Sequence, residues 1–216
     1  MEPGPTPKGR AFAAIVAAVS AASVVLQYLL LLELTRDNVG VALGTLRFLS
    51  YFTILSNLGV VAVCMTALRG ADGFFSRPRV RGAIALYIGV TGLIYLLILR
   101  HLWQPRGLQW WADTGLHYAT PLLYVGWWLA AAPHGRLNLR DAVAWLLFPL
   151  LYLAWVLLRG AWLGEYPYPF IDAGKLGYAR TAINATGILV VFLLLGGILL
   201  ALDRLLSRRR RYSPNL

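Results

Sequence analysis

Charge and sulfur are scarce in this chain. Only 13% of its 216 residues are charged, nine are acidic, and there are three histidines, two methionines and one cysteine. A lone Cys64 cannot form an intrachain disulfide and carries no information about redox compartment. No Cys/His cluster has zinc spacing, and no glycine-rich phosphate loop follows a strand. No Gly-x-Ser-x-Gly elbow occurs. His101 and His117 fall on one side of the chain's predicted topology and His134 on the other. The first two could share a metal or haem, but no third ligand accompanies them. We therefore expect no metal and no cofactor. Alternation of apolar and polar residues is also missing, which argues against a membrane β-barrel.

What the chain has instead is apolar length. Hydrophobic residues make up 59% of it, and the mean hydropathy is +0.64. A soluble domain of this size does not hide so much apolar surface. The residues fall into runs long enough to cross a hydrocarbon core as helices. The expected fold is all-α, a polytopic membrane bundle of about six spans. These are Ala11–Leu34, Phe48–Leu68, Ile84–Leu99, Thr114–Ala132, Ala142–Leu158 and Thr181–Leu202. The division is an arm over 1–10, a transmembrane domain over 11–203 and a basic tail over 204–216. Small residues around Ala17-Val19-Ala21 resemble a signal-peptide cleavage site. The apolar run continues past them to Leu32, so a retained span is expected.

Lysine and arginine set the orientation. Thirteen lie in the N-terminal arm, the 69–81 and 133–140 connections and the tail, against seven in the intervening connections. Positive residues stay in the cytoplasm, so both termini are expected there. The tail Arg208-Arg209-Arg210-Arg211 fits an anchor to an anionic leaflet better than a nucleic-acid contact. Arg100-His101-Leu102-Trp103 and Arg159-Gly160-Ala161-Trp162 share an Arg-x-x-Trp pattern. It reads either as a trace of duplication or, more simply, as two interfacial anchors.

Polar residues within spans are costly and so mark places of interest. They gather in the outer halves. Ser50, Thr53 and Asn57 recur at spacings of three and four, which on a single helix places them on one face. Interhelical hydrogen bonding is the simpler use of such a face. Span four opens Asp113-Thr114-Gly115-Leu116-His117-Tyr118-Ala119-Thr120-Pro121. Asp113 lies one turn before His117 and could hold one imidazole nitrogen. Pro121 has no N–H for the His117 carbonyl, so the helix is expected to loosen there. The alternative is a structural histidine beside an ordinary kink. Glu165-Tyr166-Pro167-Tyr168-Pro169-Phe170 is an extended aromatic segment, either a lid across the outer mouth or an interfacial loop. With Arg47 and Tyr51, Tyr168 and Phe170 are the candidate residues of that mouth. The Asn184-Ala185-Thr186 sequon opens span six and is not expected to be glycosylated.

Four segments resemble one known family. They are Tyr51-Phe52-Thr53-Ile54-Leu55-Ser56-Asn57-Leu58, His117-Tyr118-Ala119-Thr120-Pro121-Leu122, Tyr152-Leu153-Ala154-Trp155-Val156 and Tyr168-Pro169-Phe170. In order and placement they are similar to the androgen-induced-protein-like membrane hydrolases and their bacterial six-span relatives. Animal members are threonine hydrolases of fatty-acid esters of hydroxy fatty acids, with an intramembrane threonine and histidine as catalytic pair. The resemblance implies Thr53 as nucleophile and His117 as base, with a lipid or amphiphilic ester as substrate. It implies a multi-pass protein of the bacterial inner membrane. Asn57, Asp113 and Ser50 are the candidate supporting residues, Asn57 as an oxyanion donor. A non-catalytic binder or carrier of an amphiphile is the alternative use of the same polar mouth, and a structural subunit of a larger membrane complex is a third.

Overall fold

The computed structural model describes residues 6–212, and the side chains of residues 6–208. Arg209, Arg210 and Arg211, the core of the basic tail, have side chains outside the described set. Among the described residues there are nine α-helices and no strand. Five apolar helical segments are long enough to cross a membrane: Pro7–Thr35, Phe52–Arg69, Pro78–His101, Leu139–Leu163 and Ala173–Arg208. The fold is thus an all-helical bundle of membrane-spanning character. It divides into two compact units, residues 1–137 with 202–216, and residues 138–201.

The first unit is built on α1 (Pro7–Thr35), which packs against α2 (Gly40–Leu49), α3 (Phe52–Arg69), α5 (Leu108–Thr114) and α6 (Thr120–Ala131). Its buried face is a stripe of small residues, Ala13, Val16, Ala17, Ser20 and Val24, while Ile15, Val25 and Leu29 point outward. Small side chains let helix backbones approach in a membrane, where lipid removes the hydrophobic drive for helix association. Helix α4 (Pro78–Leu97) packs on α3 and α6. Buried bonds close the end of this unit that carries Gly9, Arg81 and His134. The Trp127 indole donates to Gly9 O at 3.0 Å and the Tyr124 hydroxyl to Arg81 O at 3.1 Å. His134 Nδ1 lies 3.3 Å from Asp203 Oδ1, whose other oxygen accepts from the Leu137 N–H at 3.0 Å.

Two expectations need correction. The expected second span, Phe48–Leu68, is interrupted: α2 ends at Leu49, Tyr51 is extended (φ −91°, ψ 125°), and α3 begins at Phe52. Ser50 bonds its own backbone locally, Oγ to Leu46 O at 2.7 Å, which favours stopping a helix over continuing it. Ser50 therefore does not share a helix face with Thr53 and Asn57. Most of the 35–47 connection is the short apolar helix α2.

Residues 108–131 form one unbroken helical run whose centre, Gly115–Ala119, is a π-turn. The Thr120 N–H reaches Gly115 O, five residues back. The loosening expected around Pro121 is present, just upstream of the proline and across His117 itself. Two glycines make room for it. A Cβ on Gly115 would lie 1.9 Å from Ser23 Oγ of α1, and one on Gly92 would lie 3.2 Å from the His117 carbonyl oxygen.

The second unit holds α7 (Leu139–Ala144), α8 (Leu147–Leu163) and the greater part of α9 (Ala173–Tyr212), up to Ala201; α9 is broken at Gly177 (φ 74°, ψ 157°). Asn138 caps α7 in a reciprocal capping box with Asp141. Pro149 has no N–H to give Trp145 O, and the α7–α8 break falls there. After α8 the Tyr168 and Phe170 rings stack with centroids 5.2 Å apart. The Asn184 amide donates to Phe170 O at 2.9 Å, so the sequon asparagine is used within the fold.

Candidate functional site

Thr53 is the second residue of α3, and His117 lies in the middle of the π-turn. They are 64 residues apart in sequence, yet Thr53 Oγ1 and His117 Nε2 are separated by 3.3 Å. The other ring nitrogen faces Asp113. His117 Nδ1 lies 3.2 Å from Asp113 Oδ1 and 3.1 Å from the Asp113 carbonyl oxygen. Both partners are acceptors only, so Nδ1 carries a proton. In the neutral ring Nε2 is then an acceptor, and the Thr53 hydroxyl donates to it. Thr53 is 6% and Asp113 3% exposed, and the histidine side chain 13%. A buried carboxylate, an oriented imidazole and a hydroxyl thus stand in line.

The sequence did not single out Tyr95 of α4. Its hydroxyl donates to Asp113 Oδ2, and its ring stacks on His117 with centroids 4.0 Å apart and planes 16° apart. Tyr118 closes edge-on against Tyr95 at 5.3 Å. One side chain therefore fixes the carboxylate through its hydroxyl and the imidazole through its face. The signal was present in principle, since a tyrosine within an apolar helix needs a partner for its O–H. Ser20 was missed likewise. It lies on the small-residue stripe of α1 and looks like packing.

Asn57 does bind at this site, in a structural manner. Its Nδ2 donates to Thr53 O at 2.8 Å and to Leu116 O at 3.3 Å, and its Oδ1 accepts from Ser20 Oγ at 3.1 Å. Fully buried, it ties α1, α3 and the π-turn together. Its amide hydrogens are committed to carbonyls, which removes it as an oxyanion donor. Ser50 is buried at the α2–α3 break, and Tyr51 packs beside Val24, Phe48, Ile54 and Leu116. Arg47 sits in the last turn of α2. Tyr168 and Phe170 belong to the second unit. Among the described residues, no group of three histidines, cysteines or acids is placed to hold a metal ion.

No family model matches the chain, and no curated protein or solved structure matches it either.

Proposed function

We propose that this protein is a multi-pass membrane hydrolase of lipid esters, with Thr53 as nucleophile and His117 as base. One observation carries the reading: the 3.3 Å approach of Thr53 Oγ1 to the His117 nitrogen opposite the one held by Asp113. A nucleophile, a base and an orienting carboxylate in hydrogen-bond sequence are the signature of covalent acyl transfer. The resemblance of the flanking segments to the androgen-induced-protein-like hydrolases selects the same two residues.

In the reaction the Thr53 hydroxyl proton passes to His117 Nε2 as Oγ1 attacks the ester carbonyl carbon. The tetrahedral intermediate collapses to an acyl-threonine. The departing alkoxide takes the proton from Nε2 and leaves as an alcohol. Water then attacks the acyl carbon, gives its proton to Nε2, and collapse returns that proton to Thr53 and releases the acid. Thr53 is in the first turn of α3, so charge developing on the carbonyl oxygen lies near the positive end of that helix dipole. Helices flanked by lipid make an apolar bed for an acyl chain. In this proposal α5, the π-turn and α6 form a sixth crossing, both termini are cytoplasmic, and the protein resides in a bacterial inner membrane.

The test is labelling of the detergent-purified protein with an alkyl fluorophosphonate. Adduct formation on Thr53, lost in Thr53→Ala and His117→Ala proteins of normal melting temperature, is the expected outcome. A well-folded wild type that takes up no probe would sink the hydrolase reading and leave the amphiphile binder.

A further inference from the structure

Of the two Arg-x-x-Trp segments, only one behaves as an interfacial anchor. Arg100 is exposed, with its Nε against His101 at 3.2 Å. Arg159, in α8, is 3% exposed, inside a segment apolar enough to span a membrane. An arginine there ordinarily snorkels to water or pairs with an acid. Arg159 does neither. Its Nη2 donates to Glu165 O at 2.9 Å, while Nε and Nη1 are buried with no hydrogen-bond partner among the described residues. Carrying a guanidinium out of water without an anion is among the costliest things a fold can do.

The surroundings hold the group in place. Gly164 (φ 70°) ends α8 and turns the chain back on itself. A Cβ on Gly160 would lie 2.0 Å from the Tyr166 ring, so that ring packs directly on the helix backbone at the residue after Arg159. Asn184 fastens the far end of the loop through Phe170 O. The guanidinium is therefore pre-oriented, with donors to spare. On the outward side of α8, Leu151, Trp155, Leu158 and Trp162 form an exposed apolar stripe at spacings of four, three and four, leading to the same end of the helix.

We infer that Arg159 is the anchor of a binding site for an anionic amphiphile, its spare N–H groups taking a carboxylate or phosphate oxygen while the chain lies along α8. Guanidinium suits both anions through paired donors. The inference stands apart from the hydrolase reading and requires no turnover. Its test uses the whole protein in phosphatidylcholine nanodiscs, as wild type, Arg159→Lys and Arg159→Met. Quenching of tryptophan fluorescence is titrated with 9,10-dibromostearate, with brominated phosphatidylglycerol and, as an uncharged control, with 9,10-dibromostearyl alcohol. Trp162→Phe identifies the local reporter. Wild type should bind at least one of the anions about tenfold or more tighter than Arg159→Met, with Arg159→Lys between them. The alcohol should not distinguish the three. Preference for stearate names a free carboxylate, and preference for phosphatidylglycerol names a lipid headgroup. Arg159→Met should also melt no lower than wild type in an uncharged detergent, because it removes an unpartnered charge. Equal anion binding by wild type and Arg159→Met overturns the inference. A lowered melting temperature with undiminished quenching overturns it too, and identifies a purely structural arginine.

Discussion

At the scale of single residues, His117 is defined by what each of its faces and nitrogens touches. Asp113 takes Nδ1, Thr53 takes Nε2, and Tyr95 covers the ring. Asp113→Asn keeps the shape but presents an amide that can bond the imidazole as a donor, favouring the tautomer with its proton on Nε2. If Thr53 and His117 form the proposed catalytic pair, ester hydrolysis should then fall by about 10²-fold or more in kcat, with KM little changed. Tyr95→Phe keeps the stacked ring and removes one charge-assisted hydrogen bond. A loss of about tenfold in kcat, or about 1.4 kcal/mol, is expected, smaller than for Asp113→Asn. Steady-state kinetics on a nitrophenyl ester, read for both variants together, checks the order. A Tyr95→Phe protein slower than Asp113→Asn would mean that the hydroxyl acts on substrate directly. Thr53, Asp113 and His117 stood out in the sequence as polar residues of apolar spans, with the family resemblance marking Thr53 and His117, and the structure brings the three into contact. Tyr95 was not singled out, although its hydroxyl in an apolar helix needs a partner, because tyrosine is also common at the ends of spans for interfacial reasons. Asn57 was legible as a polar residue of the site but not in its role. Only the packing of α1 shows that Ser20 and two carbonyls occupy its amide.

The element scale shows where periodicity fails. Apolar runs locate spans by length, but a run does not record a break whose residues are themselves apolar or small. The extended Tyr51 between α2 and α3 is such a break, and it gives Thr53 a place in the first turn of a helix where the second turn of a span from Phe48 was expected. The π-turn at Gly115–Ala119 was half legible. Pro121 announced a disturbance, but its form depends on Gly115 meeting Ser23 and Gly92 meeting the His117 carbonyl, both set by tertiary packing. Those glycines make a prediction. Gly115→Val forces a side chain into Ser23 and should lower stability by about 1–3 kcal/mol through overpacking. It should also displace His117 from Thr53. Ser23→Gly in the same chain opens the space and should recover part of the loss. Thermal melting in detergent and fluorophosphonate labelling, measured on the single and double variants, follow the two effects separately. An unchanged melting temperature for Gly115→Val would show that the π-turn is not held by α1.

For the whole molecule, the question is how many times the chain crosses. Five segments satisfy length and hydropathy together, and residues 108–131 are a sixth helical run interrupted by its π-turn. The arginine and lysine asymmetry was legible without structure and sets the orientation, which with an even number of crossings puts both termini in the cytoplasm. Whether the sixth run spans could not be settled by composition, because the features that build the site, Asp113, His117 and the turn, are those that make a span look poor. Trp103, in the connection after α4, and Trp110 and Trp111, in the first turn of α5, are exposed, as expected of an aromatic belt at one interface. Placing the run across the membrane puts Arg106 and Arg136, on either side of it, in opposite compartments. A five-crossing chain puts them in the same one. Cys64, in α3, is fully buried, so single replacements Arg106→Cys and Arg136→Cys can be read over a low background. In intact spheroplasts a membrane-impermeant maleimide should label Arg106→Cys at once and Arg136→Cys only after permeabilisation. Labelling of both before permeabilisation, or of neither, would mean that residues 108–131 return to the side from which they came. His117 would then be reached from a different compartment, and the entry path for ester and water would have to be redrawn.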